Sequence, residues 1–355
     1  MIKEICFKIE YISAKSRDLG IDPILIERVI YAFELLGLLI KHDIGLVFKG
    51  GTCLMLMIPE FSRFSLDLDI VVREKAGILE NAFNEIIEES IFKRWVEDKR
   101  STREEFPKKH FRFYFDSPTM RRELYVLLDV LYLEQTFPSI ITRPISHQIF
   151  EVEEEIAVSV PSINSLAGDK LTAFAPNTIG IHYGQGKSME IIKQLFDLGI
   201  LFEHISDIKE VYESYKNIAK LESSFRGLKM PIEEYLHDSI ETSFFISQLD
   251  FRGSIENDKT RELRNGIRRI RSHVLEGSYS FLKAKEDASK VACLAALVKE
   301  GMLTVNLGEI RQKRKDVEKI KNIGLPENYT ILNKLKAISP ESFYLWSVVT
   351  GAIKL

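Results

Sequence analysis

The chain has 355 residues, 45% of them hydrophobic and 28% charged, with a formal net charge of −3; that length suffices for two domains with well-buried cores. No apolar run approaches a membrane span, the first residues lack the apolar core and cleavage site of a secretory signal, and three scattered cysteines (Cys6, Cys53, Cys293) exclude a disulfide framework and a zinc site. A reducing, cytoplasmic setting is the expectation, and the charge balance excludes a generally basic nucleic-acid coat.

In chain order, residues 21–41 read as a helix with Asp22 as N-cap and Pro23 in its first turn. Its apolar positions Ile26, Val29, Ile30, Phe33, Leu36 and Leu39 recur at helical spacing. The stretch Leu46-Val-Phe-Lys-Gly-Gly-Thr-Cys-Leu54 reads as a short apolar strand that breaks at Gly50-Gly51 and restarts as a helix from Thr52. Two glycines let the backbone turn tightly and approach a ligand closely, and the new helix offers free N–H groups and a positive dipole end to phosphate. The next stretch, Phe64-Ser-Leu-Asp-Leu-Asp-Ile-Val-Val72, alternates as a strand. Period two puts Asp67 and Asp69 on one face and Leu66, Leu68 and Ile70 on the other. Two carboxylates on one face repel unless a cation lies between them, and a divalent ion with oxygen ligands serves.

The string Lys49-Gly-Gly-Thr-Cys-Leu…Arg63-Phe-Ser-Leu-Asp-Leu-Asp-Ile70 resembles the signature of the AbiEii/AbiGii toxin family of DNA polymerase β-like nucleotidyltransferases. The resemblance covers roughly residues 45–200. It implies metal-dependent transfer of a nucleoside monophosphate from a nucleoside triphosphate to an acceptor hydroxyl. Asp67 and Asp69 would hold Mg²⁺ or Mn²⁺, while Lys49, Gly50, Gly51 and Thr52 would receive the triphosphate.

Beyond the motif, an amphipathic helix over 76–91 precedes strands over 92–96, 109–115 and 124–133, a helix-between-strands pattern that predicts a mixed sheet. Arg100, Arg103, Lys108 and Lys109 form a charged stretch read as a solvated hairpin, with a phosphate contact as the alternative. Asp129 interrupts Tyr125-Val-Leu-Leu-Asp-Val-Leu-Tyr-Leu133, where an acid is costly unless paired, hydrogen-bonded or metal-bound. It resembles the third carboxylate of nucleotidyltransferases, which completes the metal site or takes the proton of the attacking hydroxyl; the alternative is an ion pair or a sheet edge. Residues 140–160 continue in strand-like alternation through an acidic run at Glu151–Glu155.

Pro161 and the following Ser-Ile-Asn-Ser mark a boundary. The predicted fold is therefore α+β: a nucleotidyltransferase-like mixed sheet with flanking helices over 1–161, then a mainly helical domain over 162–355. By the family resemblance, residues 166–200 complete the nucleotide site. Lys170 would offer a point charge to triphosphate, Asp169 would orient it, and Asp197 matches the last acid of a fourth motif, as brace or catalyst. The segment Gly180-Ile-His-Tyr-Gly-Gln-Gly-Lys-Ser188 is not a P-loop, because five residues separate Gly180 from Gly186 where that motif has four. Lys187 is left as a phosphate contact on a loop.

The remainder shows helical patterns over 208–221, 231–249, 260–275, 281–300, 330–337 and 341–353. Between Lys259 and Lys321 stand sixteen Lys/Arg against eight Asp/Glu. Arg264, Arg268 and Arg271 recur on one side of a helix, and Arg311, Lys313 and Arg314 form a second cluster. Each group is either a solvated face or a grip on a phosphate backbone. The resemblance implies the toxin of a toxin–antitoxin or phage-defence pair, with an antitoxin protein as partner and an RNA, such as a tRNA 3′ end, as acceptor. The rivals are transfer to a small molecule or to a protein, and a catalytically silent nucleotide- or partner-binding module.

Overall fold

The computed structural model describes residues 1–59, 63–73, 76–99, 107–134, 137–274 and 279–355; Arg100, Arg103 and Leu275 lie outside them. The chain divides into two compact units, Met1–Ser162 and Ile163–Leu355.

The first unit comprises α1 (Ile9–Leu19), α2 (Pro23–Lys41), β1 (Leu46–Lys49), α3 (Gly50–Met57), β2 (Leu68–Val72), α4 (Ala76–Glu89), β3 (Arg94–Glu97), β4 (Lys108–Ser117), β5 (Arg122–Tyr132), β6 (Ile140–Pro144) and β7 (Ala157–Pro161). The strands form one seven-stranded sheet in the order β3-β4-β5-β2-β1-β7-β6. Its pairings are mixed: β2 runs parallel to β5 and β1 to β7, and the other neighbours are antiparallel.

The alternation in the strands sorts their two faces. Phe111, Phe113 and Phe115 of β4 are fully buried. Phe83 of α4 meets Phe111 and Phe113 edge-on, with ring centroids 5.0 and 4.9 Å apart, and Tyr31 of α2 stacks on Phe115 at 3.6 Å. Aromatic burial of this kind fixes the strand's orientation, because a one-residue slip would turn all three rings to the opposite face. Helix α2 begins as predicted, with the Asp22 carboxylate accepting from the Ile24 N–H at 2.8 Å. It is buried nearly all round rather than along one stripe, including Glu27 and Glu34. Glu34 is satisfied by the Ile2 N–H at 3.0 Å, and Glu27 accepts from the Thr119 hydroxyl.

Residues 140–160 hold two strands instead of one continuous alternation. The chain between β6 and β7 is irregular, and a bridge from Ile2 to Val152 ties it to the chain start. The acidic run there is engaged by cations, Glu151 with Lys3 and Glu154 with Lys41.

The second unit is helical: α5 (Ile163–Ala173), α6 (Ser188–His204), α7 (Ile208–Arg226), α8 (Ile232–Gln248), α9 (Asp258–Ile270), α10 (Phe281–Lys299), α11 (Leu307–Lys313), α12 (Leu335–Ile338) and α13 (Pro340–Val349). Helix α10 is its core element and packs against α6, α8 and α13. Gly266 of α9 lies so close to α6 that a Cβ would fall 2.8 Å from the carbonyl carbon of Ser188. A glycine is required there. No described helix is long and apolar enough to cross a membrane.

Candidate active site

The strand registers of the first unit set four charged or polar residues in one row. Lys49 of β1 pairs with Asp69 of β2, Asp69 with Asp129 of β5, and Asp129 with His110 of β4. Directly paired residues share a face, so the side of the sheet opposite the phenylalanines carries Lys49, Asp69, Asp129 and His110 across adjacent strands.

The glycine turn stands at one end of this row. Gly50 has φ +81°, a conformation that L side chains rarely adopt, and a Cβ there would fall 2.8 Å from Cγ of Asp69. A Cβ on Gly51 would lie 2.7 Å from Nη2 of Arg63 and 2.8 Å from Oγ of Ser65. One glycine thus admits a carboxylate against the backbone and the other a guanidinium, at the start of α3 where N–H groups lack helical partners. Lys49 lies at the same turn, its Nζ 5.7 Å from the centre of the Phe137 ring.

The two central carboxylates are in unlike states. Burial and then the charge of Asp129 push the Asp69 carboxyl up to about 6, against the opposing pull of Lys108 and Lys49. At Asp129 burial acts upward too, but His110 and Lys108 outweigh it and hold the carboxyl below its ordinary value. Oδ1 of Asp129 lies 2.6 Å from Nδ1 of His110, and Oδ2 accepts from Nζ of Lys108 at 2.8 Å. Asp129 is therefore paired, with His110 and Lys108, as one reading of its apolar surroundings required.

Two expected site residues, Asp67 and Thr52, lie beside this row and not in it, and the charge of Asp67 still acts on Asp69. The strand β2 starts at Leu68, so Asp67 precedes it, with an exposed side chain and its carbonyl accepting from the Thr52 hydroxyl at 2.6 Å. That same bond engages Thr52, which is fully buried, in tying α3 to β2 instead of facing a ligand. Among the described residues no group of three or more His, Cys, Asp and Glu is arranged to hold a metal ion. What the geometry does supply is two facing carboxylates, Asp69 and Asp129, with Asp69 destabilised as an anion. A cation between them would relieve that repulsion, so this donor pair fits a divalent ion.

In the second unit Lys170 and Asp197 are brought together, with Nζ of Lys170 2.6 Å from Oδ2 of Asp197 and side chains 5% and 0% exposed. Gln194 adds an acceptor at 3.4 Å. Lys170 thus spends its charge within the helical unit, on the Asp197 carboxylate. Asp169 is half-buried, and Lys187 is exposed just before α6. The loop before α6 is pinned by Asp238 of α8, which accepts from the Asn177 N–H and the Thr178 hydroxyl, each at 2.8 Å.

The basic clusters divide by what engages them. Arg264 pairs with Asp250 and Glu256. Arg311 donates to the carbonyls of Phe202 and Ile205 at the end of α6. Arg314 is buried, with a two-pronged bond to Glu203 at 3.0 and 3.1 Å and an ion-pair contact with Glu341. All three are engaged by groups within the helical unit. Lys313 is exposed beside Glu309, and Nε of Arg271 donates to the Tyr279 carbonyl at 3.2 Å. Arg268 is exposed, as is Arg269 beside it.

Sequence reasoning assigned no role to His110, Arg63 or Ser65, and it read Lys108 as part of a solvated hairpin, whereas Lys108 opens β4 and pairs with Asp129. Arg63 and Ser65 lie within the quoted motif. Lys108 and His110 fall two apart at the head of an aromatic strand, a period-two hint that needs the register to be understood.

No protein with a curated description matches the chain. Among solved structures, JHP933 from Helicobacter pylori is 15% identical with a TM-score of 0.44, over 82% of this chain and 98% of that one. An antigenic nucleotidyltransferase-like protein from Paracoccidioides brasiliensis is 16% identical with a TM-score of 0.37, over 59% and 97%. The model of the family described as nucleotidyl transferase AbiEii toxin, Type IV TA system, matches residues 38–280, a span that takes in the glycine turn and the whole row from Lys49 to Asp129. The chain belongs to the AbiEii nucleotidyl transferase family.

Proposed function

We propose that the protein moves a nucleoside monophosphate from a nucleoside triphosphate onto an acceptor hydroxyl of an RNA, such as a tRNA 3′ end, with release of pyrophosphate. As the toxin of a toxin–antitoxin pair it would be counteracted by a cognate antitoxin protein. The observation that carries this reading is the row Lys49–Asp69–Asp129–His110 laid beside a glycine turn that only glycines fit.

The backbone N–H groups at Gly50 and Gly51 receive phosphate oxygens, and Lys49 and Arg63 supply positive charge at the turn. Asp69 and Asp129, with Asp67 on the segment just before β2, are the residues that would hold Mg²⁺ or Mn²⁺. When bound, such an ion offsets charge on the attacking and leaving oxygens. The low pKa of Asp129 makes it a poor proton acceptor, so its role here is that of a fixed anionic oxygen donor, oriented by His110. Exposed Arg268 and Arg269 on α9 have no carboxylate partner among the described residues and support a polyanionic acceptor. The close approach of Gly266 to Ser188 sets exposed Lys187 beside that helix.

The test is incubation with each labelled triphosphate, Mg²⁺ and a cell extract. Label in RNA, lost in Asp69→Asn, is expected. Label in protein or in a small metabolite would overturn the acceptor, and no label with any triphosphate would overturn the reaction.

A further inference from the structure

The two donors that hold Asp129 are not equivalent. His110 faces Asp129 directly across the β4–β5 ladder, its side chain is 10% exposed, and its bond to Oδ1 is 2.6 Å long. It is a fixed brace. Lys108 stands at the end of β4, opposite Leu131 and not opposite Asp129, and reaches Oδ2 by leaning along the strand on a flexible stem, with 29% of its side chain exposed. Its charge acts on Asp69 as well as on Asp129. Without some cation, two carboxylates paired across β2 and β5 would repel at close quarters.

We infer that Lys108 is the tethered counter-ion of the Asp69–Asp129 pair, holding the carboxylates together until a divalent ion displaces it and thereby setting the affinity of the site for metal. This rests on the metal-holding role proposed above for those two residues. Lys108 and a divalent ion compete for Oδ2 of Asp129, and both cannot sit there without mutual repulsion. The ammonium is already partly in water, so its release costs little desolvation, whereas His110 keeps the carboxylate in orientation throughout. Once released, the same ammonium stands free beside an anionic nucleotide, which ties metal entry to nucleotide arrival.

The test compares the full-length parent with Lys108→Met and Lys108→Arg, without nucleotide. Mn²⁺ binding is followed by the electron paramagnetic resonance signal of the free ion, and thermal melting is recorded in EDTA and in Mn²⁺. Lys108→Met is expected to bind Mn²⁺ about tenfold more tightly, the effect of removing one competing charge at a partly exposed site. It should melt below the parent in EDTA and recover or overtake it in Mn²⁺, while Lys108→Arg keeps the parent's behaviour. The inference is overturned if Lys108→Met binds Mn²⁺ no more tightly than the parent, or if neither binds it. A melting deficit equal in EDTA and Mn²⁺, the mark of a purely structural role, overturns it too, as does tightening by Lys108→Arg equal to that by Lys108→Met. None of these results depends on label transfer, so the reaction itself is judged separately by the labelling assay.

Discussion

Replacing Lys170 with Met tests the reading of the Lys170–Asp197 pair as a brace. Both side chains are essentially out of water, and the pair is closed at 2.6 Å. Removing the ammonium takes the paired cation away from the fully buried Asp197 carboxylate and from the Gln194 oxygen. Breaking a buried pair on one side costs about 3–5 kcal/mol, whereas neutralising both partners costs far less. With a urea dependence of roughly 2–3 kcal/mol per molar for a unit of this size, the unfolding midpoint should fall by about 1–2.5 M. The chain's two tryptophans make the assay selective, because Trp95 lies in the first unit and Trp346 is fully buried in the second. In a Trp95→Phe background, fluorescence in urea reports the helical unit alone. Lys170→Met should unfold early and Lys170→Met/Asp197→Asn should recover most of the loss. A midpoint for the single variant within about 0.3 M of the parent, a difference of under 1 kcal/mol, would refute the brace and return Lys170 to the role of a free charge.

Gly50→Ala forces a side chain to φ +81° and against Asp69, so we expect a loss of about 1–3 kcal/mol in the first unit and a raised KM for nucleotide; parent-like melting and KM would count against the cradle. Glu203 is partly buried, which acts against its charge, but Lys290 at 2.7 Å and Arg314 outweigh burial and hold its carboxyl at about 2, below its ordinary 4.5. The unfolded carboxyl takes up a proton first as pH falls, so this stabilisation is full above pH 4.5 and fades toward pH 2. Glu203→Gln should cost about 1–2 kcal/mol at neutral pH, allowing for its partly exposed side chain, and should flatten the acid limb of a stability–pH curve. An unchanged acid limb would remove the assignment. Arg268→Glu/Arg269→Glu should leave melting unchanged, weaken RNA binding, and reduce the slope of log affinity against log salt by about 1.4, as two lost single-strand phosphate contacts require. Equal slopes in parent and variant would take α9 out of the acceptor surface.

The local chemistry of the site was legible in the chain, but its assembly was not. Gly50-Gly51 announced a tight turn and Asp129 an acid that needed partners, because both are costly choices at those positions whatever surrounds them. Which partners Asp129 finds depends on a register between strands far apart in the chain, and residue spacing carries no record of it. Asp67 was assigned to the strand face by extending period two past the true start of β2, where the Thr52 hydroxyl takes the Asp67 carbonyl out of the ladder. The basic clusters stayed ambiguous for another reason. A count of charges cannot tell an arginine that faces water from Arg311, which closes the end of α6, or Arg314, which is clamped by Glu203 and Glu341. Helix α11, seven residues long, was too short to show a period of its own.

The parallel pairing of β2 with β5 has a consequence for synthesis. Asp69 and Asp129 are sixty positions apart, and β5 pairs locally with β4 on one side and with the distant β2 on the other. On the ribosome, a nascent chain that has extruded β1, the glycine bend and β2 still lacks half of its carboxylate pair. It gains the other half only when residue 132 has emerged and β5 has paired with β2. A chain cut short before Arg122 therefore cannot assemble the Asp69–Asp129 pair, however well its glycine bend has formed.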